Sequence, residues 1–255
     1  MDMHRKFLKI MIVVTLITSC LSAISYATPP EQEHIKILFG YRFPPFYTVS
    51  SKRSPSNSLR GIFIDVLKKF EKKHPEYIIQ YKCLPRARIS KVLAEGGGDA
   101  FALSSPMFLN NEIVDKYTAS SPLWEVGDHL LVKKDSPIAE SGLNSLIGKK
   151  IAVLHGNGYG LLDEYFSSGL IKKHAVYATS QQLMLVLKGR VDAAICNKST
   201  LPDLIKSSKL SMDDFKIIES PLYTFKLHLL IKSTKKKFIK DFNEFVEKEQ
   251  LPVIK

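Results

Sequence analysis

The chain has 255 residues, 45% of them hydrophobic and 24% charged, with a formal net charge of +12. This is a globular composition, long enough for one or two compact domains and without a low-complexity tract. The basic excess is spread along the chain apart from the run Lys235 to Lys237. No zinc spacing or aromatic–basic RNA signature accompanies it, so nucleic acid is not an expected partner.

In chain order, the first feature is a targeting segment. Arg5, Lys6 and Lys9 precede the apolar run Ile10 to Leu16, which extends with interruptions to Ile24, and Ser25-Tyr26-Ala27 fits the small-x-small cleavage rule. Residues 1–27 therefore read as a signal peptide cut after Ala27, placing the folded part in the periplasm. A second reading takes Ile17-Thr18-Ser19-Cys20 as a lipobox, with a lipid on Cys20. No other run is long enough to span a bilayer.

The spacing then predicts a strand at Ile35 to Phe39, followed by Gly40-Tyr41-Arg42-Phe43-Pro44-Pro45-Phe46-Tyr47, where two prolines stiffen the loop and fix how the rings project. Those rings either face a ligand or belong to the core. Residues 50–60 read as a polar loop. A helix is expected after Gly61, with Asp65 as a cap, then a strand at Tyr77 to Tyr81 and a helix opening at Leu84-Pro85-Arg86-Ala87-Arg88. Glu95-Gly96-Gly97-Gly98-Asp99-Ala100 turns into a third strand. Trp124 faces either a cleft or the core.

Leu146 to Phe166 reads as strand, glycine loop and helix: an apolar run Ile151 to Leu154, then Gly156, Gly158 and Gly160, then Leu161, Leu162, Tyr165 and Phe166 at helical spacing. A helix starting in such a loop offers N–H groups to an anion. The glycines match neither a dinucleotide fingerprint nor a Walker loop. Further on come Thr179-Ser180-Gln181-Gln182 capping a helix at Leu183 to Leu187, a strand at Ala194 to Cys196, an extended stretch at Pro221 to Ile231, and an amphipathic helix at Phe238 to Val246.

Several of these stretches carry a resemblance. L-x-G-K-x-I-A-V-x-x-G-x-x-Y from Leu146, Pro-Pro-Phe after the first strand, Gly61 to Leu67, the G-x-x-D-A turns before Ala100 and Ala193, and Ser120-Ser121-Pro122-Leu123-Trp124 are together similar to the bacterial family 3 extracellular solute-binding proteins. The resemblance implies an α/β, two-lobed periplasmic-binding-protein-like type II fold, the second lobe inserted in the first and joined by two crossing strands. It implies residues 34–128 plus 226–255 as lobe 1 and 129–225 as lobe 2. Cys83 and Cys196 then fall in different lobes and are expected as free thiols.

The same resemblance implies a small polar solute captured between the lobes and delivered to the membrane permease of an ABC importer, by a monomer without cofactor or metal. Its candidate ligand contacts are Phe46, Tyr47, Arg88, Ser104, Ser105, Lys116, His155, Asn157, Gly158, Tyr159 and Asn197. Two departures stand out. Ile113 occupies the position where relatives that bind α-amino acids grip the carboxylate with Arg, and Asn197 occupies the position of their ammonium-binding Asp. Both charged anchors of a zwitterion are thus missing, leaving Lys116, Arg42, Arg86 and Arg88 as candidate cations. The alternatives are a ligand-presenting sensor and a dehydratase-like enzyme. Against the enzyme, Tyr159 stands where its catalytic Glu would be, and no Ser–His–Asp or metal constellation is visible.

Overall fold

The structure, a computed structural model, describes residues 32–51 and 53–253. The signal peptide, its cleavage after Ala27 and a lipid on Cys20 lie outside the described residues. Everything below concerns the unit His34–Lys255. Among the described residues no helix is long and apolar enough to cross a membrane.

Thirteen strands and seven α-helices are described. Lobe 1 begins with β1 (Glu33–Phe39), β2 (Arg42–Phe43), β3 (Tyr47–Val49), β4 (Leu59–Arg60) and α1 (Ile62–Lys73). It continues through β5 (Tyr77–Cys83), α2 (Arg86–Ala94), β6 (Ala100–Ser104), α3 (Asn111–Val114) and β7 (Tyr117–Ala119). β8 (Trp124–Lys133) leads into lobe 2, made of β9 (Lys150–Leu154), α4 (Leu162–Ser167), β10 (Lys172–Val176), α5 (Thr179–Leu187), β11 (Ala193–Asn197), α6 (Leu201–Ser207) and β12 (Phe215–Ile217). β13 (Tyr223–Lys232) returns to lobe 1, where α7 (Lys236–Lys248) closes the chain.

One sheet runs through both lobes in the order β10-β9-β11-β8-β13-β6-β1-β5. β1 and β6 pair in parallel, as do β10 with β9 and β11 with β9. The crossing strands explain how the lobes join. The first half of β8 pairs antiparallel with the first half of β13, Trp124 opposite Leu227 through Asp128 opposite Tyr223. Their second halves then diverge: Asp128 to Leu131 pair with β11 in lobe 2, and His228 to Ile231 pair with β6 in lobe 1. The second lobe is an insertion in the first.

Each lobe's sheet is buried on both faces, which is why its parallel strands read as continuous apolar runs. In β1, Ile37 and Phe39 face one core with Phe63, Leu67 and Phe70, while Leu38 faces the other with Ile89, Phe101 and Ile113. In β9, Ile151 and Val153 take one face and Ala152 the other. Cys83 and Cys196 are buried free thiols in the cores of lobe 1 and lobe 2.

Three local expectations change. The segments 40–49 and 59–60 form a small antiparallel sheet, β2-β3-β4, rather than loops throughout. α1 is capped by Gly61, with Asp65 in the first turn; Gly61 has φ +134°, and a Cβ there would lie 2.4 Å from the Phe46 carbonyl oxygen. α5 begins at Thr179 itself, and the Gln181 side chain accepts from the N–H groups of Tyr177 and Ala178.

Candidate functional site

In open α/β sheets ligands sit beyond the carboxyl ends of the strands. Here those ends from the two lobes face each other. The glycine loop after β9 meets lobe 1 directly: a Cβ on Gly156 would lie 2.7 Å from the Ala87 nitrogen at the start of α2, and one on Gly158 would lie 2.6 Å from the Phe108 carbonyl oxygen beyond β6. Only glycine permits this approach. The lobes are therefore in contact at this seam, and the six-residue α4 behind the loop begins at Leu162. Phe108 also packs its ring on the crossing strand, 5.7 Å from Tyr223 and 4.8 Å from Phe225.

A cation lies on the lobe 1 side. Arg86, at the first position of α2, is half-buried with its guanidinium 4.9 Å from the Phe101 ring centroid, and Nη1 donates to Ser90 Oγ at 2.9 Å. Burial lowers its pKa, while Tyr47 of lobe 1 and Tyr159 of lobe 2 favour its charge. The arginine thus stands between the two lobes.

An acid lies on the hinge. Asp128 is the point where β8, β11 and β13 share register, opposite both Asn197 and Tyr223. Its Oδ1 accepts from Asn197 Nδ2 and its Oδ2 from the Tyr223 hydroxyl, each at 3.2 Å. Burial pushes its pKa up to about 6, against these two hydrogen bonds and the nearby His129. Asn197 Oδ1 is buried and has no partner among the described residues. Tyr159 connects the two charged groups: it is in electrostatic reach of both, its hydroxyl accepts from the Leu154 N–H at 2.7 Å, and burial pushes its pKa up.

The expected contacts fall in distinct places. Phe46 is fully buried between Phe43 and Trp124, with centroids at 4.7 and 5.1 Å. Trp124 itself is in the lobe 1 core and donates its Nε1–H to the Pro252 carbonyl. Tyr47 packs edge-on against Phe39, and burial raises its pKa to about 12. Ser104 and Ser105 are buried at the end of β6, following Leu103, whose φ of 50° is strained for a leucine. Asn157, Gly158 and Tyr159 lie in the glycine loop, and the exposed His155 sets its ring 4.9 Å from Tyr177. Arg88 is exposed, and Lys116 donates to the Ala94 carbonyl at the end of α2. Ile113 is buried against Leu38 and Phe101 in the core.

The structure therefore gathers Tyr47 and Tyr159 around Arg86, and Asn197 around Asp128. Asp128, Tyr223 and Phe108 did not figure among the expected contacts. The one signal pointing to Asp128 is an acid in the middle of the crossing stretch Trp124 to Lys133.

No family model matches the sequence, and no curated protein matches it. Solved structures do. A histidine kinase sensor domain with similarity to periplasmic binding proteins superposes with a TM-score of 0.70 at 15% identity, covering 85% of this chain and 90% of that one. The fold is the two-lobed periplasmic-binding-protein fold. An ancestral arginine-binding protein bound to arginine gives a TM-score of 0.66 at 20% identity over 85% of this chain and 92% of that one. A structure tied to glutathione import via GshT and the cystine ABC importer TcyBC of Streptococcus mutans gives 0.67 at 20%, over 85% and 89%. Within this fold Arg86 stands on one lobe and Asp128 on a crossing strand.

Proposed function

We propose that this protein is an extracytoplasmic solute-binding protein that captures a small polar solute between its lobes and delivers it to an ABC importer. The lobes in this reading are residues 34–128 with 226–255, and 129–225. The observation that carries it is the seam: two lobes linked by two crossing strands, in contact through Gly156 and Gly158, with Arg86 on lobe 1 and Asp128 on a crossing strand. Ligand binding selects the closed arrangement from an open–closed equilibrium, because only the closed form lets both lobes contact the solute. Residues 1–27 serve as the export signal, with lipidation at Cys20 as the alternative route to the same compartment. The sensor-domain neighbour supports a second reading, in which the closed form is presented to a receptor instead of a permease. The test is a thermal-shift panel of amino acids, carboxylates, sugars and polyamines on the purified chain. At least one class should raise the melting temperature and contract the molecule in small-angle scattering, whereas no response from any class removes the proposal.

A further inference from the structure

Away from the seam, lobe 1 gathers a second set of polar side chains. His74 caps the carboxyl end of α1 and Tyr77 opens β5. β13 runs down to Ile231 opposite Ala100, the first residue of β6, so α7 starts at the amino ends of the strands, the end of the sheet opposite the glycine loop. There His74, Glu76 and Asp241 bring one ring nitrogen and two carboxylate oxygens within 4.8 Å of one another, all three residues half-buried. No spacing in the sequence announces this set, because Asp241 reaches it from α7, near the other end of the chain.

The atoms are spaced and held as metal ligands are. His74 Nδ1 lies 3.5 Å from Glu76 Oε1. Bonds of about 2.0–2.1 Å to a tetrahedral centre set two ligand atoms about 3.3–3.4 Å apart. The imidazole is fixed by stacking on Phe70, with centroids 4.5 Å apart and 18° between the planes. Asp241 is fixed through its Oδ2, which accepts from the Tyr77 hydroxyl at 2.7 Å. Outer partners of this kind orient a ligating carboxylate. Lys237 supplies the positive charge of the cluster: its Nζ donates to Asp241 Oδ2 at 2.7 Å, to the Tyr77 hydroxyl at 3.1 Å and to Glu76 Oε1 at 3.4 Å. Its side chain is 66% exposed and free to swing into water. An exposed pair of this kind holds its place by no more than about fivefold.

We propose that His74, Glu76 and Asp241 form a site for a divalent transition metal of the zinc class, which displaces the Lys237 ammonium and keeps a fourth position for water. The donor set selects the ion. One neutral imidazole with two carboxylates suits Zn²⁺, whereas Ca²⁺ asks for about six to eight oxygens and Mg²⁺ keeps to oxygen in a near-octahedral shell. The ligands come from the turn after α1 and from α7, so the ion ties these two elements together and binds the folded protein in preference to the unfolded chain. The site stands apart from the solute cleft and is occupied or empty independently of it.

The experiment is calorimetric titration of the full exported chain, stripped with chelator, with ZnCl₂ at pH 7.5 and with CaCl₂ and MgCl₂ alongside. The native chain should take up one equivalent of Zn²⁺ more tightly than either Ca²⁺ or Mg²⁺, and Zn²⁺ should raise its melting temperature. Loss of an outer partner already costs a metal site about tenfold, so His74→Ala, which removes a ligand, should weaken uptake by at least that factor and abolish the melting shift. Lys237→Ala removes the competing ammonium and should tighten uptake by about two- to fivefold, a result that a merely structural ion-pair network would not give. Circular dichroism melting without metal reports whether each variant is folded. If His74→Ala does not fold, Lys237→Ala and Asp241→Asn carry the test, the first tightening and the second loosening the metal. The proposal is overturned by the absence of Zn²⁺ uptake, by uptake that is equal in the native chain and the folded His74 variant, by uptake that Lys237→Ala leaves unchanged or weakens, or by Ca²⁺ or Mg²⁺ binding as tightly as Zn²⁺.

Discussion

Asp128 makes a prediction about stability. Its pKa in the folded protein, about 6, lies above the ordinary aspartate value of about 3.9 because burial penalises the carboxylate. The folded state then holds the proton more tightly than the unfolded chain. That contribution is fully present below about pH 4 and is lost as pH rises through about 6, after which it is constant. The nearby Tyr159, Tyr223 and Cys196 are pushed up by burial and stay protonated throughout this window. Asp128→Asn should therefore gain about 1–3 kcal/mol relative to the native chain between pH 4 and pH 7.5. Urea unfolding at the two pH values checks this; an unchanged difference would mean that Asp128 is better solvated than its position suggests. Little of this was legible in the sequence. A hydrophobic strand with an acid in it was visible, but the acid acquires its role from a register shared with Asn197 and Tyr223, residues 69 and 95 positions away. Ile113 and Asn197 could be read as lost anchors because each was judged against a motif, whereas Asp128 belongs to none.

Among the elements, α7 docks on lobe 1 through a row of buried rings. It returns to lobe 1 after β13 and buries Phe238, Phe242, Phe245 and Val246 at helical spacing. Phe70 of α1 receives three of these rings, at 5.5, 5.3 and 5.4 Å. Phe242 is fully buried, so Phe242→Ala should cost about 3–5 kcal/mol. Chemical denaturation measures this, and a loss under about 1 kcal/mol would show that α7 is only loosely docked. This helix was legible because its 3.6-residue period is strong, as were β1, β9 and β11 from short apolar runs. The sheet β2-β3-β4 was not. Its strands are two or three residues long, too short for any period, and they pair across the intervening polar segment. The glycine loop was legible as a strand-to-helix turn with N–H groups to offer; that the backbone of lobe 1 abuts it depends on how the two lobes meet.

At the scale of the whole molecule, the same loop separates folding from closure. Gly156 has φ +84°, so any side chain there strains lobe 2 itself. Gly158 is not in the left-handed region, and the obstacle to a side chain is the Phe108 carbonyl of the opposite lobe at 2.6 Å. Gly158→Ala should then leave each lobe intact and penalise only the closed arrangement. A second contact across the lobes gives the comparison. Arg42 Nη2 donates to Ser207 Oγ at 2.7 Å on α6, but Arg42 is exposed, and such a contact is worth under about 1 kcal/mol. Arg42→Ala should therefore weaken solute binding by less than about fivefold. Gly158→Ala meets backbone that cannot rotate away, so the lobes must part by some tenths of an ångström or more, loosening the contacts around Arg86 and Asp128 together. The expected result is at least about a tenfold loss of affinity for whichever solute binds. A larger radius of gyration in small-angle scattering and a nearly unchanged urea midpoint should accompany it. A lowered midpoint with an unchanged radius would place the damage inside lobe 2 and would mean that the glycine at 158 serves the loop and not the closing of the lobes.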